Sequence, residues 1–449
     1  MNDTITALAT PPGESGIAVI RISGDKAINI VSKYFKGKIN LQNAITHTIH
    51  YGEFKYNSLL IDTVTIAVFK KPNSYTGEEV IEISCHGNML IVEQIINLLI
   101  EAGARLAEQG EFTKRAFLNG KLNLTQVEAV ADIIHSNSLP SALTSVRQLH
   151  GEFNKRLSEF NQKLLNIVSL LELELDFSEE DIILTNKKQI IELIESIIKF
   201  CDDLIRSYQQ AKIFRSGYFI GIAGYPNSGK STLFNTLLKK QRAIVSHIPG
   251  TTRDYLEETL YIGNFPVKII DTAGIRKSDD IIEVEGIKLA QSILEEVNMI
   301  LVINDSYKSF NNSDELLKQL TKSYPDKEIL LLQNKIDKVE IIPKETKNTF
   351  YISAKYSGGI EELKKYIDNE ILSSTDRIKD VLINQRHGIL LKQVNQSLNR
   401  ALLATKNNYE NEIITIDLRQ AANYFAEITG EKWNDDVLNN IFSNFCIGK

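Results

Sequence analysis

One stretch of the sequence has the residue types of a phosphate-binding loop. Gly224–Ser231 reads GYPNSGKS, which matches the pattern G-x-x-x-x-G-K-S, and it stands between an apolar run and an amphipathic segment. The glycines let backbone N–H groups fold around phosphate oxygens, Lys230 supplies positive charge at the β- and γ-phosphates, and Ser231 can ligate Mg²⁺. The pattern predicts a strand, a loop and a helix that hold the phosphates of a nucleotide.

Two further motifs predict which base this nucleotide carries. Asn334, Lys335 and Asp337 belong to the run NKID after an apolar stretch, and SAK at Ser353–Lys355 ends another. The Asp337 carboxylate can accept from the two N–H donors of a guanine edge, which adenine lacks, and the SAK backbone would support the base. Because these motifs end successive strands in this order, the sequence predicts GTP binding.

Two segments between these motifs are expected to surround the γ-phosphate and its metal ion. Asp271 begins the run DTAG and can reach the Mg²⁺ shell through a water, while the Gly274 N–H can donate to the γ-phosphate. Upstream, Thr251 and Thr252 are switch candidates, one of which can complete the Mg²⁺ shell. The expected protein ligands of Mg²⁺ are Ser231 and Thr252.

The residue that orients the attacking water in Ras-like GTPases is absent from its usual place. Those enzymes have Gln directly after DTAG, whereas this chain has Ile275, whose side chain cannot hydrogen-bond a water. Hydrolysis therefore needs another polar group for the water and another positive charge for the transition state. The segment that follows supplies candidates, each of which could equally be a solvated loop charge. They are Arg276, Asp279, Asp280, Glu283 and Glu285.

The composition is that of a soluble globular protein of about three domains. The chain has 449 residues, 43% hydrophobic and 24% charged, with a formal net charge of -6, so a nucleic-acid partner needs a local basic patch. The start lacks the apolar core of a secretory signal, and no apolar run is long enough to span a membrane, which predicts a cytoplasmic protein. Cys85, Cys201 and Cys446 are odd in number and far apart, which argues against a disulfide framework or a cysteine-based metal site. Helical spacing predicts that Cys201 lies in a core.

Changes of hydrophobic period divide the chain into four stretches. Residues 1–118 mix strand-like runs with one apolar helix, 119–214 have helical spacing, 215–374 alternate strands and helices, and 375–449 are helical again. The expected fold class is multidomain α/β, with an N-terminal α+β domain, a helical domain, and a P-loop domain with a parallel sheet inserted in the helical domain. Two runs around Gly263–Asn264 are typical of a hairpin, which would put one antiparallel strand in the sheet.

The last residues, FCIGK, leave two interpretations open. Cys446 stands fourth from the end, as in a prenylation box, but Gly448 is not aliphatic, Lys449 is an atypical last residue and no polybasic run precedes the cysteine. Alternatively, the apolar positions from Leu438 to Phe445 form one helical stripe, and the glycine after it is an ordinary stop signal.

Five parts of the chain point to one family. They are TPPGESGIAVIRISG near the start, SYTGEEVIEISCHG, GEFTKRAFLNGKLNLTQVEAVADII, the GTPase block with GTTRD and DTAGIR, and the terminal FCIGK. Together they resemble the MnmE family of tRNA-modification GTPases, also called TrmE, over essentially the whole chain. The GTPase motifs alone are shared by many families, whereas the N-terminal segments and the tail are specific.

The resemblance implies a potassium-activated GTPase that dimerises through its G domains when GTP binds. K⁺ would lie where an arginine finger acts in other GTPases and would offset the charge that develops near the β/γ bridge. Glu283 matches the family's catalytic glutamate, which acts on the water through a further water. The residues that match K⁺ ligands are Asn227, Ser246, Ile248 (through its carbonyl) and Thr251. The complete set expected to contact GTP is Asn227, Ser228, Gly229, Lys230, Ser231, Thr232, Ser246, His247, Ile248, Pro249, Gly250, Thr251, Thr252, Asp271, Thr272, Ala273, Gly274, Asn334, Lys335, Asp337, Ser353, Ala354 and Lys355.

The same resemblance implies a folate site in the N-terminal domain. The family's domain resembles folate-binding domains and binds 5-formyl-tetrahydrofolate or a related folate as the one-carbon source. The matching pocket residues are Arg21, Glu82, Lys121 and Lys449. The tail would reach this site, so that the Cys446 thiol lies near the one-carbon chemistry and could act on a folate-bound carbon.

The function that the resemblance implies is an enzyme of tRNA modification. A homodimer would join the flavin-dependent partner MnmG in a heterotetramer, and GTP hydrolysis would drive the conformational steps that add a carboxymethylaminomethyl or aminomethyl group to C5 of the tRNA wobble uridine. The alternative is a GTPase switch that assists ribosome assembly and modifies nothing. It would share every GTPase motif but leave the N-terminal segments and the tail unexplained.

Overall fold

The computed structural model forms two compact units. Unit 1 comprises Met1–Ile134, Val146–Cys201 and Ile389–Lys449, and unit 2 comprises His135–Ser145 and Asp202–Gly388. The residues that the structure describes are 3–136, 138–176, 186–216, 218–239, 257–263, 265–271, 294–295, 297–309, 313–340, 348–375, 383–443 and 445–449.

A seven-stranded sheet forms the N-terminal part of unit 1. Its strands are β1 (Ile5–Leu8), β2 (Ser15–Ser23), β3 (Phe35–Gly37), β4 (Thr48–Tyr56), β5 (Leu59–Phe69), β6 (Val80–Gly87) and β7 (Arg105–Leu106). Their order is β3-β4-β5-β6-β2-β1-β7, antiparallel except for the pair β1 and β7. Every second residue of β5 from Asp62 to Val68 is buried, because one face of the sheet packs on a core. The helix Met89–Glu101 covers that core, and the Asn88 side chain caps it by accepting from the Leu90 N–H.

A six-stranded sheet forms the centre of unit 2. Its strands are β8 (Tyr218–Gly224), β9 (Glu257–Ile262), β10 (Phe265–Asp271), β11 (Met299–Asp305), β12 (Glu328–Asn334) and β13 (Thr349–Ile352). Their order is β13-β12-β11-β8-β10-β9, and neighbours are parallel except β9 and β10. All residues of β11 are buried, as in a central strand covered on both faces. In the β9–β10 pair Phe265 lies opposite Ile262, which confirms the predicted hairpin and its antiparallel strand.

The helices follow the predicted change of period. In chain order they are α1 (Ala27–Ser32), α2 (Met89–Glu101), α3 (Glu111–Leu118), α4 (Leu124–His135), α5 (Leu139–Leu149), α6 (Glu152–Asp176), α7 (Lys187–Ser216), α8 (Lys230–Lys239), α9 (Asp314–Ser323), α10 (Ile360–Thr375), α11 (Gln385–Lys406), α12 (Asn411–Thr429) and α13 (Asp435–Phe442), with short 3₁₀ turns at Leu41–Asn43 and Ile336–Lys338. Within unit 1, α12 packs along α6. An apolar stripe of α12 at helical spacing is buried, at Ile414, Leu418, Ala421, Phe425 and Ile428.

These observations confirm the fold class in its coarse form. The chain has an N-terminal α+β part, a helical part and a mostly parallel α/β sheet, whereas the exact domain boundaries and the insertion stay predictions. Cys201 is fully buried, as predicted. No helix in the described ranges is long and apolar enough to cross a membrane.

Candidate functional site

The predicted phosphate loop lies between the central strand β8 and helix α8. Gly229 in this loop has a φ of +107°, and a side chain there would collide with the Asn334 amide at the end of β12. Glycine is therefore required both by the backbone conformation and by the close approach of a neighbouring strand. The loop opens into the N-terminus of α8, where N–H groups that lack helical partners point outward and favour an anion.

The positively charged side chain of the phosphate loop lies inside the loop. The Lys230 ammonium is almost buried and donates to the Gly224 and Tyr225 carbonyl oxygens at 2.7 and 2.9 Å. The Ser228 hydroxyl is buried and has no hydrogen-bond partner among the described residues. A cation held inside a curled loop, beside an unsatisfied hydroxyl, fits the phosphate groups of a nucleotide.

Asn334 joins the phosphate loop to the two base-recognition motifs. Its Nδ2 donates to the Ser228 carbonyl at 2.9 Å, and its Oδ1 accepts from the Ala354 N–H at 3.0 Å. The Asp337 carboxylate accepts from the Ser353 hydroxyl at 2.6 Å. Two motifs separated in the sequence are thus held side by side at the edge where a base would lie.

Lys335 makes a second connection, to a residue that the sequence analysis did not single out. Its ammonium donates to the Asn227 carbonyl at 2.9 Å and pairs with the Asp305 carboxylate at 2.7 Å. Asp305 is only 7% exposed and ends strand β11, and its other oxygen has no partner among the described residues. The signal that could have revealed it is an acidic residue directly after the run MILVIN, since Asp271 has the same position at the end of β10.

Only some of the remaining residues predicted to contact GTP lie within the described ranges. Asp271 ends β10 opposite Ile222 of β8, so its backbone lies at the same edge of the sheet as the phosphate loop. Ser231 and Thr232 are exposed in the first turn of α8, and Lys355 is exposed after β13. The predicted residues outside the described ranges are Ser246, His247, Ile248, Pro249, Gly250, Thr251, Thr252, Thr272, Ala273, Gly274 and Glu283.

In unit 1, two predicted folate residues form an ion pair across neighbouring strands. Arg21 of β2 lies opposite Glu82 of β6, and its Nε and Nη2 donate to one carboxylate oxygen at 2.9 and 2.7 Å. Its Nη1 donates to the Gly448 carbonyl at 3.3 Å. The rings of Tyr75 and Phe112 lie 5.5 and 5.6 Å from the guanidinium carbon. This half-buried charge therefore has aromatic surface beside it and the chain's last residues against it.

The C-terminal tail is bound to this place by its backbone. The Phe112 N–H donates to the Lys449 carbonyl at 3.2 Å, and Ile447 forms an isolated β-bridge with Gln109. Gly448 has a φ of +97°, and a side chain there would collide with β1. Burial, and secondarily the Arg21 charge, lowers the pKa of the Lys449 ammonium.

Cys446 and Lys121 lie at the margins of this arrangement. The Cys446 thiol is exposed, whereas Cys85 is buried, and that burial raises the pKa of its thiol to about 11. Lys121 donates to the Pro72 carbonyl at 3.1 Å and lies against the same loop that carries Tyr75. The aromatic neighbours of Arg21 were not predicted as site residues, although both belong to segments on which the resemblance rests.

Comparison with known proteins gives agreement over the whole chain. Residues 4–121 match the family model described as GTP-binding protein TrmE N-terminus, and residues 124–446 match the MnmE helical domain. The tRNA modification GTPase MnmE of Christiangramia forsetii is 40% identical and each chain covers 100% of the other. The chain belongs to the MnmE family.

Other MnmE proteins agree with this assignment. Those of Flavobacterium johnsoniae and Aquifex aeolicus are 42% and 38% identical, and the alignments cover 100% of this chain and 99% and 100% of theirs. A solved structure of Era with MgGDPNP and 16S ribosomal RNA is 30% identical over 33% of this chain and 55% of that chain, with a TM-score of 0.27. Membership in the MnmE family confirms the predicted family and the predicted enzyme class, a GTPase.

Proposed function

We propose that this protein is a cytoplasmic, potassium-dependent GTPase that works on tRNA with a flavin-dependent partner, MnmG. The pair adds a carboxymethylaminomethyl or aminomethyl group to C5 of the wobble uridine and takes the carbon from 5-formyl-tetrahydrofolate or a related folate. The protein acts as a homodimer, within a heterotetramer with MnmG. The observation that carries the proposal is the C-terminal tail bound against Arg21 and Glu82 in a chain that also has a GTP loop.

In the GTP site, the protein's own groups stabilise negative charge. Lys230 and the N-terminus of α8 bind the phosphates, and Asp337 reads the guanine edge. Mg²⁺ and K⁺ supply further positive charge at the reacting phosphate when they are bound. The proposed Mg²⁺ ligands are Ser231 and Thr252, and the proposed K⁺ ligands are Asn227, Ser246, Ile248 and Thr251. Glu283 orients the attacking water in place of the missing glutamine.

In the folate site, charge and aromatic surface lie close together. The Arg21–Glu82 pair can hydrogen-bond a pterin edge, and the rings beside it offer apolar surface to a planar heterocycle. The Lys449 ammonium can pair with the anionic glutamyl part of the folate. The exposed Cys446 thiol belongs to the same bound tail and is available as the nucleophile for the one-carbon unit.

The proposed domain arrangement keeps the boundaries expected from the sequence. Residues 1–118 form the folate-binding and dimerisation domain, 119–214 and 375–449 form one helical domain, and 215–374 form the inserted GTPase domain. In its support, the block Asp202–Gly388 belongs to unit 2, whereas Val146–Cys201 directly before it and Ile389–Lys449 directly after it belong to unit 1; the short segment His135–Ser145 also belongs to unit 2.

The modification reaction is tested by nucleoside analysis of tRNA. Cells that lack this protein should lose the aminomethyl-type wobble uridines, and a plasmid copy of the wild-type gene should restore them. Unchanged wobble uridines in the deletion cells would rule out the proposed reaction.

The ion requirement is tested separately with purified protein. Because Ile275 cannot orient water and Asn227 can ligate a monovalent cation, GTP turnover should be about tenfold or more faster in K⁺ than in Na⁺ at equal ionic strength. Equal rates in the two salts would contradict potassium dependence while leaving the GTPase assignment intact.

A further inference from the structure

One surface of unit 1 has a charge opposite to that of the protein as a whole. The chain carries a formal net charge of -6, yet residues 26–52 contain no Asp or Glu. This stretch contains four lysines, Lys26, Lys33, Lys36 and Lys38, of which the last three follow helix α1 within six residues. All four are exposed. Local positive charge of this kind is what a nucleic-acid partner of an acidic protein requires.

Lys33 and Lys36 line an open groove with polar walls, and Lys38 follows them in the same segment of the chain. The groove has a volume of about 520 Å³ and lies between α1 and the chain that follows it. Its amide groups are ordered, since the Gln42 Nε2 donates to the Asn29 Oδ1 at 3.0 Å and the Asn40 side chain accepts from the Gln42 N–H at 3.1 Å. The polar side chains of its lining are Asn29, Ser32, Lys33, Lys36, Asn40 and Gln42.

The neighbouring carboxylates already have partners of their own. Asp25 pairs with Lys71 at 3.0 Å, and Glu53, which lies opposite Lys36 in the β3–β4 register, pairs with Lys55. Among the described residues, neither Lys36 nor Lys38 forms an ion pair. Within the described part of the chain, the positive charges of Lys36 and Lys38 are therefore not neutralised by ion pairs.

Lys33 is partly fixed by the fold. Its ammonium lies 3.4 Å from the Ala102 carbonyl at the C-terminus of α2, where the helix dipole favours a cation. The other two lysines have long exposed side chains that can reach a ligand in the groove. The groove thus combines one oriented cation, one adaptable cation and several amide and hydroxyl groups, and a further adaptable cation, Lys38, follows two residues after Lys36.

We propose that this groove, with Lys33, Lys36 and Lys38, is a docking surface for the sugar-phosphate backbone of tRNA. Ammonium groups bind phosphate oxygens, and amide side chains can both donate to phosphate and exchange hydrogen bonds with ribose 2′-hydroxyls. A lipid surface would match the charge but would leave the ordered amides of a concave groove without partners. The contact holds the RNA without reading its bases, so it takes tRNA irrespective of anticodon. The inference rests on the proposed function, since it assigns the substrate a place on this chain.

The direct test is binding of the full-length protein to purified tRNA over a range of salt concentrations. The triple variant Lys33→Glu, Lys36→Glu, Lys38→Glu should lose at least tenfold in affinity. The slope of log affinity against log salt should fall by about two to three, because each lost lysine–phosphate contact removes about one. GTP turnover should not change, since none of the three belongs to the GTP site.

Two further variants separate the local effect from its alternatives. The control is the triple variant Lys163→Glu, Lys199→Glu, Lys392→Glu. It changes the net charge by the same amount at exposed positions of the same unit, so it should keep both the tRNA affinity and its salt slope. The double variant Lys36→Glu, Lys38→Glu leaves the Lys33 contact with α2 intact and should still lose about two units of slope. The proposal would be overturned if the two triple variants lost tRNA affinity equally, or if the variants of Lys33, Lys36 and Lys38 lost none.

The outcome can be told apart from a failure of the proposed function. The triple variant Lys33→Glu, Lys36→Glu, Lys38→Glu is also tested on vesicles of phosphatidylserine and phosphatidylcholine. If it lost vesicle binding but kept tRNA binding, the surface would bind a membrane instead of RNA, and the proposal would be overturned. Wobble uridines that stay unchanged in deletion cells would refute the modification reaction, whereas a loss of tRNA binding by the groove variant would still identify the surface.

Discussion

The two candidate sites of this chain are built in different ways. The proposed GTP site of unit 2 uses short segments at the ends of neighbouring strands, and the motif itself brings Gly229 and Lys230 together. In the proposed folate site of unit 1, Arg21 donates to the Gly448 carbonyl, which is 427 positions away. The first site therefore depends on local sequence and on the sheet, whereas the second depends on binding of the tail. We expect changes in one site to leave the chemistry of the other largely intact.

The largest difference between the effects on the two sites is expected for a change of the Cys446 thiol in the tail. Cys446→Ser should reduce the modified wobble uridine in tRNA to the background of deletion cells, because a hydroxyl of similar size is a far poorer nucleophile at neutral pH. GTP turnover and folate binding should stay within about twofold of wild type, a range that corresponds to less than 0.5 kcal/mol.

The matched control for this variant is Ile447→Val, which changes a neighbouring exposed side chain of the tail and should keep full modification. Full modification by the Cys446→Ser protein would remove the thiol from the chemistry and leave the tail as a helix end. Release of that variant from membranes would instead support the prenylation box.

The second largest effect is expected at the guanine reader. Asp337→Asn exchanges a double acceptor for a group with one acceptor and one donor, so GTP affinity should fall by roughly a hundredfold or more, and xanthosine triphosphate should become the better ligand. Competition binding with the two nucleotides measures this. Asp326→Asn, an exposed change of the same type in unit 2, should have no effect. A retained preference for GTP would mean that NKID does not read the base.

A smaller effect, confined to the rate, is expected for the proposed water-orienting residue. Glu283→Ala should lower kcat for GTP by roughly a hundredfold, as removal of a general base does, while GTP affinity is kept. Single-turnover hydrolysis and nucleotide binding measure the two quantities. Glu285→Ala in the same segment is the control, and it should turn over normally. Normal turnover by the Glu283 variant would make that residue an ordinary solvated charge.

The smallest effect is expected for the terminal lysine. Lys449→Met should weaken binding of 5-formyl-tetrahydrofolate by about tenfold, the loss of one charge-assisted hydrogen bond, and leave GTP turnover intact. The pKa of Lys449 is lowered, so its positive charge, and the affinity it provides, should be lost at a lower pH than for an ordinary lysine. Titration calorimetry over pH checks both statements. Lys432→Met, an exposed lysine, is the control, and equal affinities of wild type and Lys449→Met would remove this residue from the site.

The sequence alone determined the elements and the local chemistry of this protein. Alternating and helical periods predicted the strands and helices, the hairpin before Phe265 placed the antiparallel strand, and Gly229 and Lys230 identified the phosphate loop. These inferences succeed because strand alternation, helical spacing and turn chemistry depend on residues only a few positions apart. The family followed from whole segments, and full-length relatives confirm it.

Only the tertiary structure decided which groups meet across the chain. The link from Asp305 through Lys335 to Asn227 arises because three strand ends lie side by side, and nothing in the spacing of these residues reveals it. The contact of Gly448 with Arg21 likewise depends on how the tail packs on a sheet formed hundreds of residues earlier. Which polar groups form hydrogen bonds and ion pairs depends on their distance in space, because the strength of these interactions falls steeply with distance and burial removes competing water.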